Sequence, residues 1–330
     1  MLPVLFALGV LFSALGIVFV VAAGGVLQLV LDYTGCAGLA PSEAFTPGPG
    51  GAFAYRNAGN GQCVLQFALD RPVRAPLFVY YRLSNFYQNN RLYARSFSAA
   101  QLAGAPLTAA ELADCAPLVQ PAGDTRVYYP CGLLANSLFT DAVHDLHQVL
   151  PEPRAVPISA RGIAWPGDPA RYRPTRYTPD QVLAPPLWAR TRPDLVNPDG
   201  TYKALPALHT DERFMNWMRV SGLPTFRKLY GRVDADLPPG TYRVSVSGSF
   251  EVLQYHGTKA LVLATTSWAG GQNHALGWGF LVVGALLLLC ALLFLLMFLL
   301  NPRKVGDVSY LSWYADNQPP LPGAPPTALN

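Results

Sequence analysis

The chain has 330 residues, a formal net charge of +4, 51% hydrophobic residues and only 13% charged ones. Its basic residues are scattered among acids without a stripe, which argues against a nucleic-acid partner. No H-E-x-x-H, G-x-S-x-G, Walker or G-x-G-x-x-G pattern is present, so the common catalytic and nucleotide-binding signatures are missing.

Residues 1 to 31 carry no charged side chain, more than the ~20 apolar residues that span a bilayer. A transmembrane helix is predicted there rather than a secretory signal. The run is about twice the length of a signal h-region, and no basic n-region precedes it. Gly, Pro and Ala then dominate residues 34 to 61, as in a loop. Cys36, Cys63, Cys115 and Cys131 suit an oxidising compartment. Of their three possible pairings, Cys36–Cys63 and Cys115–Cys131 close the shortest loops. With no C-x-x-C, zinc is a poor alternative, and Cys290 reads as a small packing residue inside a second apolar helix.

"CVLQFALD" alternates with Leu65, Phe67 and Leu69 on one side, and "PLFVYYRL" follows as a denser run; both read as strands. The next stretch, "YRLSNFYQNNRLYARS", crowds amides and aromatics among Arg82, Arg91 and Arg95. Where a chain leaves a sheet, the amides of Asn85 and Asn89 and the phenol of Tyr87 can satisfy backbone groups. A buried polar corner is expected there, with Arg91 or Arg95 turned to a partner. "SAAQLAG" and "TAAELADC" suggest short helical turns.

Residues 132 to 148 read as a helix, placing Asp141, His144 and Asp145 on one face with His147 a turn further. That set has metal-ligand spacing, although an ordinary polar helix face is the favoured account. From 151 to 198 eleven prolines and no sustained period predict an irregular arm. A helix is expected after Thr210 as N-cap, with Asp211 and Glu212 in its first turn. Phe214, Trp217 and Met218 would face the core, and Gly222 and Pro224 would end it. In "PTFRKLYG", Arg227 and Lys228 are either partner contacts or part of a helix-ending turn over buried Phe226 and Tyr230.

"GTYRVSVS" alternates as a half-buried strand, and "ALVLATTSW" is expected to return beside it as a hairpin. Residues 275 to 302 are again uncharged, a second span. Arg303 and Lys304 follow it, while no Lys or Arg stands just before it, which predicts a cytosolic tail at 301–330. Two spans then return the N-terminus to the cytosol and leave residues 32–274 as one lumenal or extracellular domain. Neither span carries the ionisable groups of a self-contained transporter. The expected class is α+β: two transmembrane helices flanking a mainly antiparallel, sandwich-like β ectodomain with a few short helices and long arms.

Five stretches together resemble one family: "VYYRLSNFYQNNRLYARS", "PCGLLANSLFTD", "WMRVSGLPTFRKLYGRV", "TTSWAGGQN" and "NPRKVGDVSYLSW". They are similar, in order and position, to the ligand-effect-modulator, or cell-division-control, family. Its members are accessory (beta) subunits of type IV P-type ATPases, the phospholipid flippases. The resemblance implies a non-catalytic subunit without a cofactor, partnered by the ATPase and by membrane lipids. It implies assembly in the endoplasmic reticulum, exit to Golgi, endosomes or plasma membrane, and support of the pump's cycle. Candidate contact or scaffold residues are Asn85, Tyr87, Asn89, Arg91, Arg95, Arg227, Lys228, Trp268, Arg303 and Lys304. Gly277, Gly279, Gly284 and Ala285 would permit close approach to the pump's helices. Family ectodomains are usually N-glycosylated, and this chain contains no N-x-[ST] sequon.

Overall fold

The computed structural model describes residues 2–248 and 250–300, which form a helical unit and a β-rich unit divided at Gly24/Gly25 and Gln272/Asn273. The labelled helices are α1 (Leu2–Gly24), α2 (Arg91–Arg95), α3 (Glu212–Met218) and α4 (His274–Leu300). The uncharged run at the N-terminus therefore divides. Its helix stops at Gly24, and its last residues belong to a strand, because the paired Gly24–Gly25 offers no helical support.

α1 and α4 are long enough to cross a bilayer, about 35 and 40 Å at 1.5 Å per residue. The only buried positions described in them are Gly9, Gly16 and Ala23 on α1 and Gly277, Gly284 and Ala291 on α4. Each set repeats every seventh residue, a straight seam along one face. A Cβ on Gly16 would stand 2.7 Å from the Leu281 side chain, and one on Gly284 2.7 Å from the Ser13 amide nitrogen. Phe12 and Phe19 both stack on Phe280 with centroids 5.5 Å apart. Gly277 and Gly284, expected to receive a partner, are thus occupied by the chain's own α1. Gly279 has open space around it, and Ala285 is exposed.

The β-rich unit has two antiparallel sheets. Their strands are β1 (Gln28–Asp32), β2 (Thr46–Pro47), β3 (Phe53–Gly59), β4 (Gln62–Leu69), β5 (Leu77–Leu83), β6 (Ala142–Leu150), β7 (Arg154–Val156), β8 (Phe226–Val233), β9 (Gly240–Ser247) and β10 (Lys259–Ala264). The four-stranded sheet has the order β1-β10-β5-β8, and the six-stranded sheet β2-β3-β4-β9-β6-β7. Alternation selects the inner faces: Leu65, Phe67 and Leu69 on β4, Val79 and Tyr81 on β5, Tyr242, Val244 and Val246 on β9 are all buried. One core results. Cys36–Cys63 ties the segment after β1 to β4, and Cys115–Cys131 closes the irregular region between β5 and β6.

Four expectations are corrected. First, β9 and β10 are not a hairpin: β9 pairs with β4 and β6, β10 with β1 and β5. Every residue of β10 is buried, so it needs cover on both faces and a central place in its sheet, whereas β9 alternates. Second, residues 142–150 are strand β6 rather than helix. Val143 and Leu146 both point inward although three apart, because a bulge sets them opposite Val246 and Val244. That extra residue imitates a helical step. Third, the N-cap of α3 is Asp211, whose Oδ1 accepts the Phe214 N–H at 3.0 Å, while the Thr210 hydroxyl donates to Ala207 O. Fourth, Phe226–Val233 is strand β8 rather than a turn, with Phe226 and Tyr230 buried.

The 151–198 stretch has no long element, as its prolines require. It nevertheless packs on its own domain: Trp188 is buried and donates Nε1–H to Ala135 O at 3.0 Å. Asp168 is buried in a bidentate pair with Arg219.

Candidate interaction surface

The corner after β5 is built from short polar side chains bonded to backbone groups, most of them on another segment. Asn85 sits at φ 55°, a left-handed turn that Asn tolerates, and donates to Tyr255 O. Gln88 is fully buried and accepts the Ser221 N–H at 3.0 Å, and Asn89 donates to Gly222 O at 3.1 Å. Asn90 caps α2 by accepting the N–H groups of Leu92 and Tyr93. Buried Ser96 donates toward Cys115 O and Ala116 O and accepts the Leu133 N–H. Gly132 lies against Ser96 O at φ 96°, where a Cβ has no room. Beneath them Phe86 touches Tyr93, Trp217, Phe226, Phe250 and Tyr255.

This frame fixes what faces outward. Tyr87 is 57% exposed, Leu92 78%, Leu223 68% and Val220 39%. Residues 86–89 bond residues 221–224 directly, which brings the two segments that carry or adjoin these exposed side chains together as an apolar rim. Arg91 and Arg95 are exposed beside it. Tyr87 therefore belongs to the outer surface rather than to the buried network. Apolar groups left in water around a rigid base, with cations at the edge, are the composition of a protein contact.

Arg227 and Lys228 separate sharply. Arg227 is exposed on β8, over the Tyr80 ring at 5.0 Å and bonded to Gln28 Oε1 at 3.2 Å. Lys228 points inward, and its Nζ donates to the carbonyls of Asn216, Trp217 and Arg219. It thereby satisfies the last carbonyls of α3, which have no partner within the helix. Burial and the neighbouring Arg219 guanidinium push its pKa down to about 7. It is an internal cap and not a surface contact. A cleft of 450 Å³ opens above it, lined among others by Tyr80, Trp165, Arg219 and Arg227.

Trp268 is 73% exposed in the turn before α4. Arg303 and Lys304 lie outside the described residues.

The proposed metal set is not assembled. On a strand, His144 turns outward to bond Ser247 Oγ at 2.8 Å, and Asp145 accepts the Ile158 N–H. His147 is exposed, and Asp141 is buried. No group of three or more His, Cys, Asp or Glu suited to a metal occurs among the described residues.

Asp141 has a different task. Its Oδ2 takes the Lys259 Nζ at 2.7 Å and the Tyr33 hydroxyl at 2.8 Å, and its Oδ1 takes the Phe250 N–H at 2.7 Å. Burial and the Asp141 charge raise the Tyr33 pKa well above the usual phenol range. The network joins the segment after β1, the start of β6 and the start of β10. Sequence reasoning missed it, yet Lys259 is the one charge within the apolar run "KALVLA", a position that asks for a buried counter-ion.

A family model described as the LEM3 (ligand-effect modulator 3) family / CDC50 family matches residues 19–304. The chain is similar to the phospholipid-transporting ATPase accessory subunit CRF1 of Saccharomyces cerevisiae, 33% identical over 337 residues, with 96% of this chain and 84% of the relative covered. It is 35% identical over 321 residues to cell cycle control protein 50B of Homo sapiens, covering 90% and 87%. Against ALA-interacting subunit 3 of Arabidopsis thaliana it is 34% identical over 307 residues, covering 92% and 81%.

Proposed function

The chain belongs to the LEM3/CDC50 family, and from that premise we propose that it is the non-catalytic accessory subunit of a phospholipid-transporting, type IV P-type ATPase. In this reading the pump supplies the phosphoryl chemistry and the lipid path. This chain supplies a rigid extracytoplasmic surface and two membrane helices, with both termini cytosolic. It accompanies the pump out of the endoplasmic reticulum to Golgi, endosomes or plasma membrane, and supports translocation of aminophospholipids or other phospholipids. The relatives' names, given to accessory subunits, support the role.

The observation that carries the reading in the structure is the apolar rim of Tyr87, Leu92, Val220 and Leu223 flanked by Arg91 and Arg95. Its base is tied by side-chain hydrogen bonds to the segments at 221–224 and 255, so a partner meets a largely preorganised surface and less ordering entropy is lost on docking. An obligate subunit buries on the order of 2,000 Å² or more. The outward faces of α1 and α4 would add to that area, and on the cytosolic side Arg303 and Lys304 would meet anionic headgroups or acidic loops of the pump. Coexpression with the type IV ATPases of the same cell tests the proposal: a stable heterodimer and subunit-dependent exit from the endoplasmic reticulum are expected. If no such pump copurifies with the chain or needs it for exit, the proposal fails.

A further inference from the structure

A second cleft, of 340 Å³, lies at the end of the four-stranded sheet where the chain enters and leaves the β-rich unit. Gly25, Arg71, Arg74, Thr265 and Thr266 line it. Arg71, Arg74 and Thr266 are exposed. The ion pairs among the described residues include neither guanidinium. The nearby acids do not line the cleft, and Asp236 is engaged with the Ala75 N–H at 2.8 Å. Two cations outside any ion pair and two hydroxyl side chains, with no carboxylate in the lining, make an anion site.

The floor is held in place. Leu27 N–H donates to Thr265 Oγ1 at 2.9 Å, and Thr265 N–H returns to Leu27 O at 3.0 Å. The Thr265 hydroxyl proton remains available to a ligand. On the other wall, Val73 and Leu237 exchange both backbone bonds, which anchors the segment carrying Arg71 and Arg74.

Chain connectivity selects the anion. Gly25 is bonded to Gly24, the last residue of α1, and that helix is about as long as the hydrocarbon core is thick. Consecutive Cα atoms are ~3.8 Å apart, so one wall of the cleft is at headgroup level wherever α1 spans. Phosphate is the anion concentrated there. Arg matches its oxygens with paired N–H donors, which a lysine cannot do.

We propose that Arg71, Arg74, Thr265 and Thr266 form a juxtamembrane site for the phosphate of a membrane phospholipid in the leaflet on the β-domain side. The site depends on α1 crossing the bilayer and not on any pump, so it stands or falls separately from the accessory-subunit reading.

The test uses the purified full-length chain in detergent, titrated with dioleoylphosphatidylglycerol and read by native mass spectrometry. Wild type should hold one lipid that dioleoylglycerol, which lacks phosphate, does not replace. R71Q/R74Q should bind that lipid at least tenfold more weakly with an unchanged melting temperature, and R71K/R74K should fall between. A measurement without variants uses phosphatidylglycerol carrying a diazirine on its glycerol backbone, which should label wild-type peptides containing residues 71–74 or 265–266. Equal lipid retention by folded R71Q/R74Q overturns the site, as does labelling confined to α1 and α4. Displacement of the lipid by equimolar inorganic phosphate would show a free-anion site and overturn the lipid assignment.

Discussion

The helix pair and the corner after β5 solve the same problem with opposite materials. Along the pair, glycines at seven-residue spacing bring two backbones together, and no ionisable side chain is buried in the seam. At the corner, amides and hydroxyls carry the load, because irregular backbone inside a domain must be bonded by something. In lipid the backbone is already satisfied within each helix, so contact is gained by removing side chains. In the β-rich domain it is gained by choosing side chains that replace missing ladder bonds.

The largest effect should come from the polar region nearest the membrane-linked strands. Asp141→Ala strands the Lys259 ammonium, the Tyr33 hydroxyl and the Phe250 N–H, and a buried charge left alone costs about 3–5 kcal/mol. The variant should melt far below wild type in a thermal assay and stay in the endoplasmic reticulum. Asn85→Ala should cost less, about 1–3 kcal/mol, through a lost bond at a left-handed residue. A normal melting temperature for that variant would show that its backbone geometry needs no amide.

On the other side of the comparison, Gly16→Leu should separate α1 from α4 at a cost of roughly 1–3 kcal/mol, the usual penalty for forcing a side chain into a closed contact. Crosslinking between cysteines placed at Phe12 and Phe280, whose rings stack across the pair, should fall while melting of the β-rich domain stays put. If the domain melts earlier as well, the two regions are not independent. Leu223→Ser, on the rim, should leave stability within about 0.5 kcal/mol and weaken copurification with a pump.

A further effect is a slope with pH. Lys228 has a pKa near 7 in the fold and an ordinary lysine value when unfolded. Between those values the unfolded chain binds more protons, so stability should rise with pH above 7. Denaturant midpoints at pH 6.5 and 8.5 should differ in that sense, and Lys228→Met should flatten the difference.

Much of this was legible from residue order. Charge-free runs declare the two helices, and the alternation in "CVLQFALD" and "GTYRVSVS" declares strands, because in each case solvent contact alone decides the pattern. What failed depended on partners distant in sequence. Val143 and Leu146 look helical until β9 reveals the bulge between them. β10 looked like the return strand of a hairpin because it follows β9, yet an all-buried strand is placed by what covers it rather than by what precedes it. Lys228 looked available because it stands beside exposed Arg227 on a strand, where neighbours face opposite ways. The amide-rich corner was readable as scaffold, but which amide bonds which carbonyl was not, since Gly222 and Tyr255 lie more than a hundred residues away.

The central position of β10 also sets an order of events during synthesis. β1 pairs with β10 from Gln28↔Ala264 to Asp32↔Ala260, so the first strand of the domain waits for the last. At ~5–20 residues per second, the ribosome needs roughly ten to fifty seconds to make the intervening chain. Throughout that interval β1 and the inner edge of β5 lack the strand between them, and both are open to chaperones. A chain that stops short of Lys259 never closes the sheet. The gap between first and last strand thus works as a completeness check, passed only by a protein whose final membrane helix is next to be made.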